Sequence, residues 1–168
     1  FDFPTEKDIE DIIQCGSLGY DYVALSFVRD AADIKKVRSI FAEHGIKSKI
    51  ISKIESKKAI ENIDEIIAES DGIMIARGDM GVEVGIEKVP MIQREILKKC
   101  AKADKYVIVA TQVIESMRES LVPTRAEVTD IFYAVYEGAD AAMLSAESAT
   151  GKYPVDSVRV MRIVIEQS

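Results

Sequence analysis

The sequence is poor in the residues that most often build metal clusters and catalytic triads. Its 168 residues include no tryptophan, one histidine (His44) and two cysteines (Cys15 and Cys100), which are far apart and lack CxxC or zinc-ligand spacing. With a single histidine, the sequence contains neither an imidazole metal cluster nor a Ser-His-Asp triad. We expect His44 at a helix end and both cysteines as buried thiols of a reducing compartment.

Long apolar runs and an excess of basic charge are also missing. No run approaches the roughly 20 residues that span a bilayer, and the sequence has no signal-peptide pattern. Its 29 acidic residues outnumber its 22 basic ones, for a formal net charge of −7, which disfavours nucleic acid as a partner. Walker A and dinucleotide fingerprints are absent. We therefore expect neither a membrane nor a nucleic-acid partner, and local groups must hold any anionic ligand.

Short β-branched apolar runs alternate along the sequence with longer segments of helical periodicity. The predicted strands are residues 21–28, 49–54, 72–76, 106–110 and 139–144. The predicted helices are residues 5–15, 32–44, 59–70, 89–103, 125–137 and 155–166. This order predicts an α/β fold with a parallel sheet and right-handed crossovers, in a single domain over residues 1–168. Because a full (β/α)8 barrel takes about 250 residues, the chain forms either part of a TIM-type barrel or an open sheet.

Polar and charged residues follow every predicted strand, at the end where parallel α/β folds carry their chemistry. Lys53 and Glu55 are two residues apart and point to the same side of an extended segment. Asp79 follows the next strand and is expected near Glu55, and two close carboxylates favour a bound cation such as Mg²⁺. The pattern alone leaves two alternatives open: a structural lysine–carboxylate ion pair, and a surface aspartate in a Gly-Asp turn.

Small and hydroxyl-bearing residues complete the predicted edge. Gly78 precedes Asp79 and allows a small ligand to approach the backbone, and the helical pattern that follows aims free N–H groups at an anion. Thr111 and Ser145 offer hydroxyls after the next two strands, with Glu147 close behind Ser145. A serine or threonine at a strand end is more often a helix cap than a catalyst, so this reading also stays open.

Together these residues resemble the pyruvate kinase family. The segments that carry the resemblance are 26–29 (SFVR), 51–55 (ISKIE), 71–83 (DGIMIARGDMGVE), 110–112 (ATQ), 123–127 (PTRAE) and 143–145 (MLS). They occur in the family's order and spacing and cover nearly the whole chain. The resemblance implies phosphoryl transfer from phosphoenolpyruvate to ADP, giving pyruvate and ATP. It also implies a cytoplasmic, glycolytic enzyme that uses Mg²⁺ or Mn²⁺ together with K⁺.

The same resemblance implies roles for individual residues. Lys53 would stabilise the transferring phosphoryl group and the enolate, and Glu55 and Asp79 would be the metal ligands. The Gly78 and Asp79 amides and Thr111 would hold the substrate carboxylate. The hydroxyls of Ser145 and Thr111 would lie near the route by which the enolate gains its proton.

The resemblance also implies what this chain lacks. By this resemblance its five strands correspond to barrel strands four to eight. We therefore expect the chain to lack the first three strands, the lid domain, the K⁺ ligands, the arginine and asparagine that contact phosphate and nucleotide, and the carboxyl-terminal effector domain. We expect little or no turnover by the chain alone. Its two unpaired sheet edges predict a homo-oligomer or association with the missing half. The alternatives are a non-catalytic folding or assembly fragment, and a magnesium-dependent aldolase or lyase acting on pyruvate enolate.

Overall fold

The computed structural model describes residues 3–168, in which helices alternate with five β-strands. The strands are β1 (Tyr22–Leu25), β2 (Lys49–Ile54), β3 (Gly72–Ala76), β4 (Tyr106–Ala110) and β5 (Ala141–Met143). The α-helices are α1 (Glu6–Ser17), α2 (Ala31–Glu43), α3 (Lys57–Glu61), α4 (Ile63–Glu69), α5 (Arg77–Val84), α6 (Val89–Ala103), α7 (Arg125–Tyr136), α8 (Ala146–Ala149) and α9 (Pro154–Ile165). Short 3₁₀ turns cover Ile86–Lys88 and Glu115–Arg118.

The strands form one parallel sheet in the order β1-β2-β3-β4-β5. Each strand pairs with the next one along the chain, the arrangement that consecutive βα units most often adopt. Within residues 3–168, β1 and β5 are not paired with each other, so the sheet is open. The predicted α/β class with parallel strands is therefore confirmed, and within residues 3–168 the sheet does not close into a barrel.

The open sheet is curved like part of a barrel. The rings of Tyr22 on β1 and Tyr106 on β4 stack with centroids 6.3 Å apart, although two strands lie between them. In a flat sheet these two backbones would be about 14 Å apart. A small apolar cluster lines the same concave face higher up, built on Ile51, Met74 and Ala110. Because side chains alternate between faces, the strand residues in register with this cluster also point inward.

The convex face of the sheet carries the main hydrophobic core. The fully or almost fully buried strand residues there are Ile50, Ile54, Ile73, Ile75, Val107 and Val109. Helices α2, α4 and α6 cover them with Ile34, Ile66 and Leu97, all inaccessible to solvent. Each such side chain contributes about 1.5–3 kcal/mol by leaving water, so this layer fixes the strands whose ends carry the polar residues.

Predicted helix boundaries are largely reproduced. Thr5 and Thr124 form capping boxes at the starts of α1 and α7, and Gly45 and Gly138, at φ 64° and 105°, follow the ends of α2 and α7. His44 is the exposed C-cap residue of α2, so its predicted location at a helix end is confirmed. No helix among residues 3–168 is long and apolar enough to cross a membrane.

Other predictions need correction. The single helix predicted over 59–70 is two helices, broken at Asn62, whose side-chain amide donates to the carbonyl of Arg29. The Gly-Asp-Met-Gly segment 78–81, for which a turn stayed open, belongs to α5, which begins directly where β3 ends. Cys100 is buried as predicted, but Cys15 is only partly buried, so that prediction is wrong for Cys15.

Candidate active site

The residues predicted for the site lie at or just beyond the carboxyl ends of β2, β3, β4 and β5. Lys53 continues the inward series Lys49–Ile51 on β2, and Glu55 follows it just beyond the strand. Ser145 follows the inward-facing Met143 of β5 in the same alternation. The alternation of side chains along each strand therefore gathers charged and hydroxyl groups at one end of the curved sheet.

Lys53 and Glu55 form an ion pair in the interior. The Lys53 ammonium lies 2.8 Å from Glu55 Oε1 and donates to Ser26 Oγ at 2.9 Å. The Glu55 carboxylate is only 1% exposed, and its second oxygen accepts the backbone N–H of Phe27 at 2.6 Å. Burial of a carboxylate is tolerated only with such partners. The ion pair that the sequence left open as an alternative is therefore present.

The Phe27 amide reaches Glu55 through an unusual backbone conformation. Phe27 has φ 54°, in the left-handed region that bulky residues avoid, and its side chain is 59% exposed. Such a conformation costs of order 1–3 kcal/mol and persists only when surrounding contacts determine it. The hydrogen bond to Glu55 is the contact that the structure shows at this position. The Phe27 amide at the end of β1 thus holds one oxygen of Glu55 in a fixed direction.

Helix α5 brings the predicted Gly78 and Asp79 to the site. Its first turn follows β3, which is paired with the strand that carries Lys53. The Gly78 amide donates to Thr111 Oγ1 at 2.8 Å, and a Cβ at Gly78 would lie 3.3 Å from that oxygen, which is tight. The Asp79 carboxylate is exposed and has no hydrogen-bond or ion-pair partner within residues 3–168. It is therefore available to a ligand from solution.

The loop after β4 is held in a strained form by a residue to which the sequence assigned no role. Thr111 and Gln112 have φ 67° and 52°, and both are non-glycine residues in the left-handed region. The buried guanidinium of Arg77 donates to both of their backbone carbonyls and to Asp130 on α7. A charged residue at a strand end suggests an exposed position, which Arg77 does not have. The signal that could have found its buried role is its place directly after β3, a strand that is buried at every residue.

Ser145 and Glu147 have separate surroundings. Glu147 is completely buried and accepts two backbone amides, from Ser145 at 2.9 Å and from Ile114 at 3.3 Å. Glu147 ties the loop after β5 to the loop after β4. It is therefore not available to a ligand, although the sequence placed it among the polar groups of this edge. Ser145 is half-buried, and its hydroxyl has no hydrogen-bond partner among the residues described.

Another carboxylate, that of Glu127 on α7, anchors the loop between β4 and α7. It accepts hydrogen bonds from the backbone and hydroxyl of Ser116 and from the backbone and hydroxyl of Thr124. Burial alone would raise the pKa of Glu127, but these four hydrogen bonds outweigh it and lower that pKa. The neighbouring side of this loop, with Ile114 and Met117, is fully buried, so the 3₁₀ turn is firmly attached.

The donor set suits a small oxygen-liganded cation. Within the described part of the chain there is no group of three or more His, Cys, Asp or Glu side chains that could hold a metal alone. Glu55 and Asp79 are two hard carboxylates, and Mg²⁺ is typically held by one or two carboxylates with water and substrate oxygens completing the shell. The unpaired Asp79 carboxylate fits this chemistry, whereas Glu55 is already engaged with Lys53 and Phe27.

A curved parallel sheet, covered by helices on its convex face and carrying charged groups at its carboxyl end, is the architecture of a (β/α)-barrel enzyme domain. Residues 1–158 match the model of the pyruvate kinase barrel domain. The chain belongs to the pyruvate kinase family.

Individual relatives agree over almost the full chain. The sequence is 50% identical over 165 residues to a pyruvate kinase of Thermotoga maritima and 49% identical over 165 residues to one of Clostridium perfringens. Each of these alignments covers 98% of this chain and 35% of the relative. A pyruvate kinase of Sporosarcina psychrophila is 48% identical over 158 residues, with 94% of the chain and 27% of the relative covered. The chain thus spans about a third of the length of the curated relatives it matches.

Proposed function

We propose that this chain forms the metal- and phosphoenolpyruvate-binding part of a pyruvate kinase, which transfers a phosphoryl group to ADP and releases pyruvate and ATP. The observation that carries the proposal is the Lys53–Glu55 pair on the concave face, 2.8 Å apart, with Glu55 buried. Family membership supports it. A cytoplasmic, glycolytic role follows from the same proposal.

In this proposal Glu55 and Asp79 hold a divalent cation, Mg²⁺ or Mn²⁺. The cation supplies positive charge beside the phosphoryl and enolate oxygens. Glu55 contributes a buried carboxylate whose second oxygen is fixed by the Phe27 amide, and Asp79 contributes a carboxylate that is open to solvent. The two residues thus combine a pre-oriented ligand with an accessible one.

Lys53 is proposed to stabilise negative charge as the phosphoryl group leaves the enolate. Phosphoryl transfer is achieved mostly by positioning and by fixed positive charge. The Lys53 ammonium is held by Glu55 on one side and by the Ser26 hydroxyl on the other, so its location on the concave face is already determined before substrate arrives. About a quarter of its side chain stays exposed, which leaves it open to a ligand.

Thr111 is proposed as the donor to the substrate carboxylate. Its oxygen accepts the Gly78 amide, so its own hydrogen is directed away from that amide and is free for a carboxylate. Gly78 therefore acts through Thr111 in this arrangement, and the Asp79 amide in the first turn of α5 adds the positive end of the helix dipole. The Ser145 hydroxyl, together with that of Thr111, is proposed to carry the proton that converts enolate to pyruvate.

The remaining parts of the proposal lie outside these residues. Because the chain spans about a third of its relatives, the K⁺ ligands and the contacts to ADP and ATP are assigned to chain beyond this segment. The unpaired edges of β1 and β5 favour a homo-oligomer or association with the rest of a barrel.

One other function has an observation in its favour. The Lys53–Glu55 pair is satisfied by protein groups alone, which is what a non-catalytic folding or assembly fragment with an idle site would show. An aldolase or lyase acting on pyruvate enolate would use the same two carboxylates, but no feature of the site favours it over phosphoryl transfer.

Calorimetric titration of oxalate, a mimic of the enolate, with and without Mn²⁺ tests the proposal. We expect binding that depends on the metal and that is lost in Glu55→Gln and in Asp79→Asn. The matched control is Glu61→Gln, a change to an exposed carboxylate on α3 that should leave the affinity unchanged. Metal-dependent binding that survives both site variants would refute the metal assignment, and a folded chain that binds no oxalate would favour the assembly fragment.

A further inference from the structure

Arg77 is an interior arginine whose contacts converge on one loop. It is the first residue of α5 and only 7% exposed. Its Nε and Nη2 donate to the Thr111 carbonyl at 3.1 and 3.0 Å, and Nη2 also donates to the Gln112 carbonyl at 2.9 Å. Its Nη1 donates to Asp130 at 2.6 Å and contacts Gln93 at 3.5 Å. The planar guanidinium therefore makes three of its hydrogen bonds to two consecutive carbonyls of the loop after β4.

Those two carbonyls belong to residues that would not adopt their conformation unaided. Thr111 is β-branched and Gln112 is long, and both lie in the left-handed region where L-residues with such side chains are rare. A conformation of this kind persists where the surroundings determine it. The rigid fork of Arg77, bonded to both carbonyls, is the surrounding group that does so, and a flexible lysine could not reproduce it.

The side chain of Thr111 is fixed from the same helix end. The amide of Gly78, the residue next to Arg77, donates to Thr111 Oγ1 at 2.8 Å. One turn of α5 thus holds Thr111 twice, by its carbonyl and by its hydroxyl. We infer that Arg77 is a positioning residue, which sets the backbone of Thr111 so that its hydroxyl faces the substrate carboxylate. The inference rests on the proposed role of Thr111 in substrate binding.

A simpler role for Arg77 would be an ion pair that joins α5 to α7 through Asp130. The two roles differ in what they predict for the loop. An ion pair stabilises the fold as a whole, whereas a positioning residue controls the Gly78–Thr111 hydrogen bond and the left-handed turn. The test must therefore report on that bond and not only on stability.

The structure offers a matched control for Arg77. Arg38 donates Nε and Nη2 to the carbonyl of Glu69 and also bonds to Asp71, so it has the same carbonyl-plus-aspartate chemistry. Its partners lie at the amino end of β3, opposite the site. Arg38→Met removes a comparable set of hydrogen bonds without touching the loop after β4.

The first experiment measures hydrogen exchange of the Gly78 amide by NMR, with the Val107 amide, bonded to Asp140, as the internal reference. We expect exchange at Gly78, relative to Val107, to be about tenfold faster or more in Arg77→Met, intermediate in Arg77→Lys and unchanged in Arg38→Met. In a Gln112→Gly background the effect of either Arg77 substitution should shrink, because glycine adopts the left-handed conformation without support. An unchanged Gly78 exchange ratio in folded Arg77→Met or Arg77→Lys protein, or no relief from Gln112→Gly, overturns the inference.

The second experiment measures Mn²⁺-dependent oxalate affinity in the same variants. Affinity should fall about tenfold or more in Arg77→Met but not in Arg38→Met. If the unsubstituted chain binds oxalate and Arg77→Met binds it equally well, the positioning role is wrong and the proposed function stands. If the unsubstituted chain binds no oxalate, the proposed function fails for this chain, and the exchange experiment alone decides the role of Arg77.

Discussion

Replacement of Lys53 by methionine probes how strongly the buried pair is coupled to the fold. Methionine keeps most of the length and volume of the side chain but removes the ammonium. Among residues 3–168 the Phe27 amide is then the remaining hydrogen-bond partner of Glu55, whose side chain is only 1% exposed. Breaking a buried ion pair usually destabilises a protein by about 3–5 kcal/mol, because one charge is left uncompensated. The Lys53 side chain is 24% exposed, so water can reach part of the gap.

We therefore expect Lys53→Met to lower the free energy of unfolding by about 2–3 kcal/mol. For a domain of this size that corresponds to a fall in melting temperature of about 4–12 °C. The measurement is urea unfolding followed by far-UV circular dichroism. The control is Lys57→Met, which removes the ammonium of a pair that is 3.8 Å apart with side chains 74% and 62% exposed, and which should have little effect.

A double-mutant cycle completes the experiment. Glu55→Gln retains an oxygen for the Phe27 amide and removes the charge, so the Lys53→Met/Glu55→Gln protein should be more stable than the sum of the single changes indicates, by about 1–2 kcal/mol. An unfolding midpoint for Lys53→Met equal to that of Lys57→Met, or strict additivity in the cycle, would refute the view that this pair is electrostatically coupled in the interior.

Two further predictions concern titrating groups away from Lys53. The pKa of Glu127 is lowered in the folded chain, so its contribution to stability is present above its ordinary value of 4.5 and is lost as the pH falls through the folded value. In urea unfolding the advantage of the unsubstituted chain over Glu127→Gln should thus be large at pH 7 and shrink below about pH 4.5; a gap independent of pH would contradict this. Burial, followed by the charge of Asp140, raises the pKa of Cys100 to about 12, so at pH 8 a thiol reagent should modify Cys15 in the native chain and Cys100 only after unfolding. Equal native rates for the two thiols would show that Cys100 is accessible.

Local pattern was sufficient for the central strands. Strands β2, β3 and β4 lie at the predicted residues, because each is a short run rich in isoleucine or valine that is bounded by polar residues. The outer strands are shorter than predicted: β1 ends at Leu25, before the left-handed Phe27, and β5 covers only Ala141–Met143. In the outer strands pairing on one side is missing, so the apolar run alone does not define the length of the strand.

Parts of the site depend on contacts that are distant in sequence. No local rule assigns a left-handed conformation to phenylalanine or threonine, because the carboxylate of Glu55 and the guanidinium of Arg77 impose it from segments that are distant in sequence. A turn stayed open at the start of α5 because its two glycines lower helix propensity, which tertiary packing can override. The juxtaposition of Lys53 and Glu55, by contrast, follows from the two-residue period of a strand alone.

The sequential order of the sheet has a consequence for how the chain folds. Every strand pairs only with the strands that precede and follow it in the chain, and no pairing joins the two ends of the described segment. Strand pairing is therefore local in sequence, and it can spread outward from the deeply buried β2–β3 pair. Within residues 3–168 no pairing closes the sheet, so each strand pairing can form without waiting for one that joins distant parts of the chain.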